Sequence, residues 1–314
     1  MQIPDAAATR AALPFERLIP ALRAMFAAGC TVPQRQVLEI GAPGGSGFTS
    51  LIMPAWLEGR YYGIKTVNVA PGNAARGLPG LHASYVLFDG LSGAPLALID
   101  GDQITTRRTA AASALAASWL ARADARHLLV VGAGQVARLL PDAYRAVRPI
   151  ERITVWARSP AQAESLAHEL GRRGFAAEAT RDLAAAAAEA DIVSCATLAT
   201  TPLIEGHWLR PGSHLDLIGS FTPAMREADD ACFAGAAIYV DTEEALRKSG
   251  DLLGPMSRGV FAAGDVRGTL AGLARGEAPG RCSPLGRTVF KSVGTALEDL
   301  AAAILVFEGL SADR

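Results

Sequence analysis

Two groups of residues in this chain have types and spacings suited to chemistry. The first is the segment Leu128-Leu-Val-Val-Gly132-Ala-Gly134-Gln135-Val136-Ala137, a G-x-G-x-x-A pattern between an apolar run and a helical segment. Gly132 permits a tight turn, Gly134 lets the backbone approach a pyrophosphate, and Ala137 keeps helix and strand close. Gln135 and Val136 open the helix, whose N-terminal N–H groups and dipole favour phosphate charge. A glycine turn serving structure alone is the competing reading, and the strand–turn–helix context weighs against it. The next strand, Ile153-Thr-Val-Trp-Ala-Arg158-Ser159, ends without the acid that binds the ribose hydroxyls in NAD sites. Arg158 and Ser159 stand there instead. A guanidinium and a hydroxyl suit a 2′-phosphate, which favours NADPH and leaves NADH possible. The plainer alternative is a solvated arginine beside a helix-capping serine. Cys195 closes the strand at 191–195, where the adenine side of a cofactor often lies, or it is a small packing residue.

The second group is cationic. Lys65 interrupts the apolar strand Tyr61-Tyr-Gly-Ile-Lys-Thr-Val-Asn-Val, Arg108 lies in a helix opening Thr105-Thr-Arg-Arg-Thr, and Arg35 follows Pro33. Each alone reads as a surface charge. A lysine inside an apolar strand is harder to dismiss, because burying it unpaired is costly. Arginine clamps a carboxylate and lysine is a point charge able to give a proton, so together they point to an anionic, carboxylate-bearing ligand.

These residues need elements to position them. From about Arg126 short apolar runs alternate with helices: strands at 127–131, 153–157, 191–195, 214–218 and 237–241, and helices at 136–146, 160–173, 183–190 and 243–249. Runs apolar throughout suit strands buried on both faces of a parallel sheet, giving a doubly wound α/β unit. Before it lie a helix at 15–28, consecutive strands at 49–53, 61–69, 84–89 and 94–100, and a long helix at 108–122. A last strand–helix pair, 287–291 and 294–307, comes too late for the alternating sheet and is expected to return to the first part. The resulting division is residues 1–112, completed by 288–314, against 113–287.

The composition excludes several classes. At 314 residues the chain is sized for about two domains. Half of it is hydrophobic, which builds real cores. Thirty basic residues against 31 acidic ones leave no field to gather nucleic acid or an anionic membrane surface. Four scattered cysteines without a CxxC pair speak against a disulfide framework or a metal site and for a reduced, cytoplasmic protein. The charged N-terminal stretch lacks the apolar core of a signal peptide, and the apolar run 110–121 is short of the roughly 20 residues of a membrane span.

Several motifs in order resemble the ornithine cyclodeaminase/mu-crystallin family: Arg35; Ile52-Met-Pro54; Gly63-Ile-Lys65-Thr-Val-Asn68 with Pro71-Gly-Asn73; Leu78-Pro79; Thr105 to Ala111; Gly132 to Ala137; Pro223 to Glu227; and Phe290-Lys-Ser-Val-Gly294. The resemblance implies a Rossmann parallel sheet plus a second α/β domain that binds substrate and forms a homodimer, with Arg35, Lys65 and Arg108 holding a substrate carboxylate beside the nicotinamide.

Departures from the family pattern narrow the chemistry it implies. Ornithine cyclodeaminases carry an Asp after the fifth strand of the nucleotide domain and a Glu before the Met-Pro pair. Phe221 and Leu51 occupy those positions here. Neither accepts a proton nor pairs with an ammonium. The segment Ser220-Phe-Thr222-Pro-Ala-Met-Arg-Glu227 is similar to the branch that reduces cyclic ketimines, Δ1-pyrroline-2-carboxylate and Δ1-piperideine-2-carboxylate. Lys65, or a water it holds, is then the candidate proton source, with a Leu51/Phe221 wall for the ring, while Ser220 and Thr222 meet either cofactor or ring. The competing readings are an ornithine cyclodeaminase using Glu39, Asp102 or Glu227 as its acid, an alanine dehydrogenase-like amination, and a non-catalytic binder of NADPH and small ligands.

Overall fold

The computed structural model describes residues 1–42 and 45–312, and the chain divides into two compact units, Met1–Arg108 with Thr295–Arg314, and Thr109–Gly294. In the first unit, α1 (Ala6–Ala11) starts where the Asp5 side chain accepts from Ala8 N at 2.8 Å. Helix α2 (Phe15–Ala28) buries Phe15, Leu18, Ile19, Leu22, Met25 and Phe26, the three-and-four spacing of a single apolar stripe, and ends at Gly29 with φ 77°. Strands β1 (Gln36–Ala42), β2 (Gly45–Leu57), β3 (Tyr61–Val69), β4 (Leu81–Asp89) and β5 (Pro95–Asp100) form an antiparallel meander in that order. Between β4 and β5 the Asp89 carboxylate accepts from Leu91 N, Ser92 N and the Ser92 hydroxyl, fixing the turn read from Asp89-Gly90. The C-terminal helix (Ala296–Ala312) packs along α2 and across β2–β5.

Helix α3 (Gly101–Leu120) carries the chain into the second unit. There β6 (His127–Val131), α4 (Gln135–Arg145), β7 (Arg152–Trp156), α5 (Pro160–Arg172), β8 (Ala176–Ala179), α6 (Leu183–Glu189), β9 (Ile192–Cys195), β10 (His214–Leu217), β11 (Ala237–Val240), α7 (Ala245–Lys248), α8 (Gly250–Ser257), β12 (Val266–Thr269), α9 (Leu270–Arg275) and β13 (Thr288–Lys291) follow. The sheet runs β12-β11-β13-β10-β9-β6-β7-β8, and every pairing in it is parallel. From β8 to β13 this is the 3-2-1-4-5-6 order of dinucleotide folds, with the direction of winding reversing between β6 and β9. Strands β6, β9, β10 and β13 are buried at every residue, including the polar Ser194, His214, Asp216, Thr288 and Lys291.

Strands β8 and β12 and helices α1, α8 and α9 add to the expected elements, and two further features differ in placement or burial. Strand β13 lies between β10 and β11, so only the helix after Gly294 joins the first unit. Its four-residue run is too short for its place to be read from chain order. Strand β1 was not expected, because all seven of its residues are exposed and no burial alternation marks it.

At the centre of the parallel sheet the fully buried Asp216 accepts from Ser113 Oγ (3.1 Å), Tyr144 OH (2.9 Å) and Ser194 Oγ (2.5 Å), tying α3, α4 and β9 to β10. Replacing it by Leu leaves three buried hydroxyls without this acceptor. Asp216→Leu is expected to lower stability by about 3 kcal/mol, read as a fall in the urea midpoint.

Candidate functional site

In the first unit, strand register places Met53, Lys65, Tyr85 and Ile99 in one row across β2–β5. Residues paired in this way share a face of the sheet. All four are buried. The C-terminal helix meets this row with two adjacent acids. Asp299 Oδ2 lies 2.6 Å from Lys65 Nζ. Arg108 Nε donates to Asp299 Oδ1 at 2.9 Å and its Nη1 donates to Glu298 Oε2 at 2.6 Å. Burial lowers the pKa of Lys65, and the Arg108 charge adds to that while Asp299 opposes it. The balance leaves Lys65 at about 8. Burial works to raise Asp299, but Lys65 and Arg108 outweigh it and hold the carboxyl below its ordinary range.

The Tyr85 hydroxyl is buried on the same row with no hydrogen-bond partner among the described residues. A Cβ on Gly63 would lie 2.0 Å from it, so only glycine fits there. Leu51, opposite Val67, shares the face of Lys65 two residues along. Arg35 immediately precedes β1, whose Gln36 pairs with Ile52, so it stands at the part of β2 that faces Lys65. The sequence pointed to the three cations and passed over Glu298 and Asp299. Their signal was present: two consecutive acids inside an otherwise apolar helix demand buried cationic partners.

In the second unit Gly132 has φ 119°, and a Cβ there would lie 2.5 Å from Ala196 O. Gly134 is the N-cap of α4 without a side-chain cap, and a Cβ on it would meet nothing within 4 Å. Gly134 and Gln135 are exposed, Val136 is half-buried, and Ala137 is buried against the sheet. An uncapped helix start with open space before it, beside the reversal of strand order, fits a dinucleotide pyrophosphate. Arg158 is exposed, without an ion-pair partner among the described residues. Ser159 is the N-cap residue of α5, yet its side chain makes no capping bond, so the hydroxyl is available.

Two cofactor candidates are placed differently from the expectation. Cys195 is fully buried in the apolar core with Val131, Leu217 and Val240, because its strand is central. Its thiol has no surface to offer a ligand. Ser220 is also fully buried: its hydroxyl donates to Met225 O (2.6 Å), shares a hydrogen bond with Ser249 Oγ (3.0 Å) and accepts from Asp251 N (3.0 Å). It fastens the loop after β10. In that loop Phe221 is 47% exposed.

Among the described residues no cluster suited to a metal ion is present, and no helix is long and apolar enough to cross a membrane. The model of the ornithine cyclodeaminase/mu-crystallin family matches residues 37–314. A Δ1-pyrroline-2-carboxylate reductase of Paracoccus denitrificans is 48% identical over 279 residues, covering 88% of this chain and 87% of that protein. The structure of Thermococcus litoralis Δ1-pyrroline-2-carboxylate reductase in complex with NADH and L-proline superimposes with a TM-score of 0.92 at 32% identity, covering 100% of this chain and 98% of that one. An archaeal alanine dehydrogenase dimer with bound NAD has a TM-score of 0.91 at 28% identity, with coverage of 100% and 97%.

The ion-pair geometry makes the charge of Lys65 depend on Asp299. Asp299→Asn removes the neighbour that favours the ammonium, so Lys65 is expected to titrate at a lower pH than its wild-type value of about 8. Breaking the buried pair is also expected to cost about 3 kcal/mol. Lysine-selective 15N NMR across pH 6–10 reads the first effect and thermal melting the second.

Proposed function

The chain belongs to the ornithine cyclodeaminase/mu-crystallin family, and from that premise we propose that it reduces cyclic ketimines, Δ1-pyrroline-2-carboxylate to L-proline and Δ1-piperideine-2-carboxylate to L-pipecolate, with NADPH preferred over NADH. The observation that carries this reading is Lys65, a desolvated ammonium in a carboxylate pair whose pKa of about 8 suits it to give up a proton near neutral pH. A bound nicotinamide dinucleotide supplies the hydride that the imine carbon accepts. Lys65 gives the proton that the ring nitrogen takes up, so C=N becomes CH–NH. Asp299 holds Nζ in place and restores the charge of Lys65 when a proton returns from solvent.

Arg108 donates from Nε and Nη1 to the two acids, which leaves Nη2 to grip the substrate carboxylate, with Arg35 as the further cation. Leu51, on the face of Lys65, offers apolar surface for the ring methylenes. In the second unit the uncapped start of α4, Gly132 and Gly134 hold the pyrophosphate. Arg158 and the free Ser159 hydroxyl take the 2′-phosphate, the basis for preferring NADPH.

Proteins similar to the chain in sequence and shape include reductases of this imine. Cyclodeamination of ornithine is disfavoured because Phe221 and Leu51 stand where its acids would be and, of the other candidate acids, all but Asp102 are committed. Glu39 is bonded to Thr49, Glu227 to backbone and Thr197, and Glu298 and Asp299 to cations. A homodimer is supported by β1, where Val37, Leu38 and Ile40 are 40–56% exposed on an edge strand. A reducing, cytoplasmic setting fits the four cysteines, all of them free.

Purified protein is expected to oxidise NADPH on addition of either cyclic imine and to release no ammonia from L-ornithine with NAD⁺. The reverse pattern overturns the reading. Reductive turnover should fall as pH rises through about 8, where Lys65 loses its proton. Lys65→Met should remove that limb and lower kcat by about 100-fold or more with dinucleotide affinity near wild type. Arg158→Asp should cut the preference for NADPH over NADH by about tenfold, read as the ratio of kcat/KM values.

A further inference from the structure

Glu227 is fully buried and is held from its own main chain on both sides. Its N–H donates to Asp251 Oδ1 at 2.8 Å, and its C=O accepts from Leu203 N (2.8 Å) and Ile204 N (3.0 Å). The carboxylate so fixed reaches two loops. Oε1 accepts from Thr197 N at 2.7 Å and from Thr197 Oγ1 at 2.8 Å; Oε2 accepts from Gly219 N at 2.7 Å. Thr197 lies two residues beyond β9 and Gly219 two beyond β10. A Cβ on Gly219 would stand 1.9 Å from Thr197 O and 2.5 Å from Glu227 Oε1, so glycine is required for the loops to come this close. Lys291, also fully buried, donates from Nζ to Leu217 O at 2.8 Å and lies 3.7 Å from Asp251 Oδ2, supplying a positive charge to the same cluster.

These loops leave the C-terminal ends of two neighbouring strands on the β9 side of the strand-order reversal. The phosphate loop leaves β6 on its other side. In a sheet of this order the dinucleotide crosses that reversal, its adenosine half on the β6–β7–β8 side and its nicotinamide half on the β9–β10 side.

We propose that Glu227 is a positioning residue for the nicotinamide half of the cofactor, acting by clamping the backbone of the loops after β9 and β10. This rests on the nicotinamide-dependent reading above. A carboxylate is needed because its oxygens face two peptide N–H groups that can only donate. In a glutamine of the same shape, one side carries an NH₂ that cannot accept. One loop is then released while the phosphate loop at β6 is untouched.

Isothermal titration of each dinucleotide, NADH and NADPH, is compared with the same molecule lacking the nicotinamide ring, ADP-ribose or its 2′-phosphate. Glu227→Gln is expected to weaken the dinucleotides by about tenfold or more and to leave the truncated molecules unchanged. Thr197→Val removes the Oγ1 donor to Glu227, and with it the acceptor of Ala199 N, but keeps the Thr197 and Gly219 peptide donors, and should give a smaller change of the same selectivity. It keeps the test usable if the glutamine variant does not fold. Equal weakening of dinucleotide and truncated molecule, or no weakening of either, in the variants that fold overturns the inference alone. Wild-type protein that binds no dinucleotide overturns the nicotinamide reading and this inference with it.

Discussion

The first unit is organised around an ammonium group withdrawn from water. Removing a charge of that size from solvent costs several kcal/mol even after relaxation, and Lys65 is only 2% exposed. The acid that makes its charge tolerable comes from the far end of the chain, on a helix that crosses the sheet. Arg108 divides the attention of the same carboxylate, so Asp299 compensates Lys65 only in part. The outcome is a lysine whose proton is held loosely near neutral pH. A fully compensated lysine would keep its proton, and an uncompensated one would already have lost it. The sheet supplies the rigidity, because Met53, Tyr85 and Ile99 occupy the rest of the row and fix the stem.

Much of this was legible in the sequence, for identifiable reasons. The parallel sheet announced itself because its strands read as short, mainly apolar runs alternating with helices, and the phosphate loop because a G-x-G-x-x-A pattern follows one of them, with Gly132 at φ 119°. Lys65 stood out as a charge inside an apolar strand. The site residues that escaped were acids whose partners lie far away in sequence: Glu298 and Asp299 meet Arg108 across 190 and 191 residues, and Lys65 is farther still. Strand β13 escaped for a related reason, since its insertion between β10 and β11 is decided by packing and not by order along the chain. Ser220 and Cys195 occupy the positions in sequence that a cofactor contact would, but burial commits both side chains to the interior.

The second unit uses buried carboxylates differently. Asp216 collects hydroxyl donors, while Asp241 accepts from the backbone N–H groups of Thr242 (2.7 Å), Val293 (2.7 Å) and Gly294 (2.6 Å), and Glu227 gathers two loops. Asp241 and Glu227 satisfy peptide groups that have left the sheet ladder at a strand end and would otherwise lie buried without a partner. These two acids therefore serve the backbone. That is why a count of acids in the sequence says little about which of them could meet a substrate amine.

The closing helix has a consequence for biosynthesis. On the ribosome Lys65 and Arg108 emerge long before Glu298 and Asp299, with the entire nucleotide-type unit translated in between. Until the final helix docks, the two cations lack the acids that pair with them here, so burying this row any earlier carries the cost of unpaired charge.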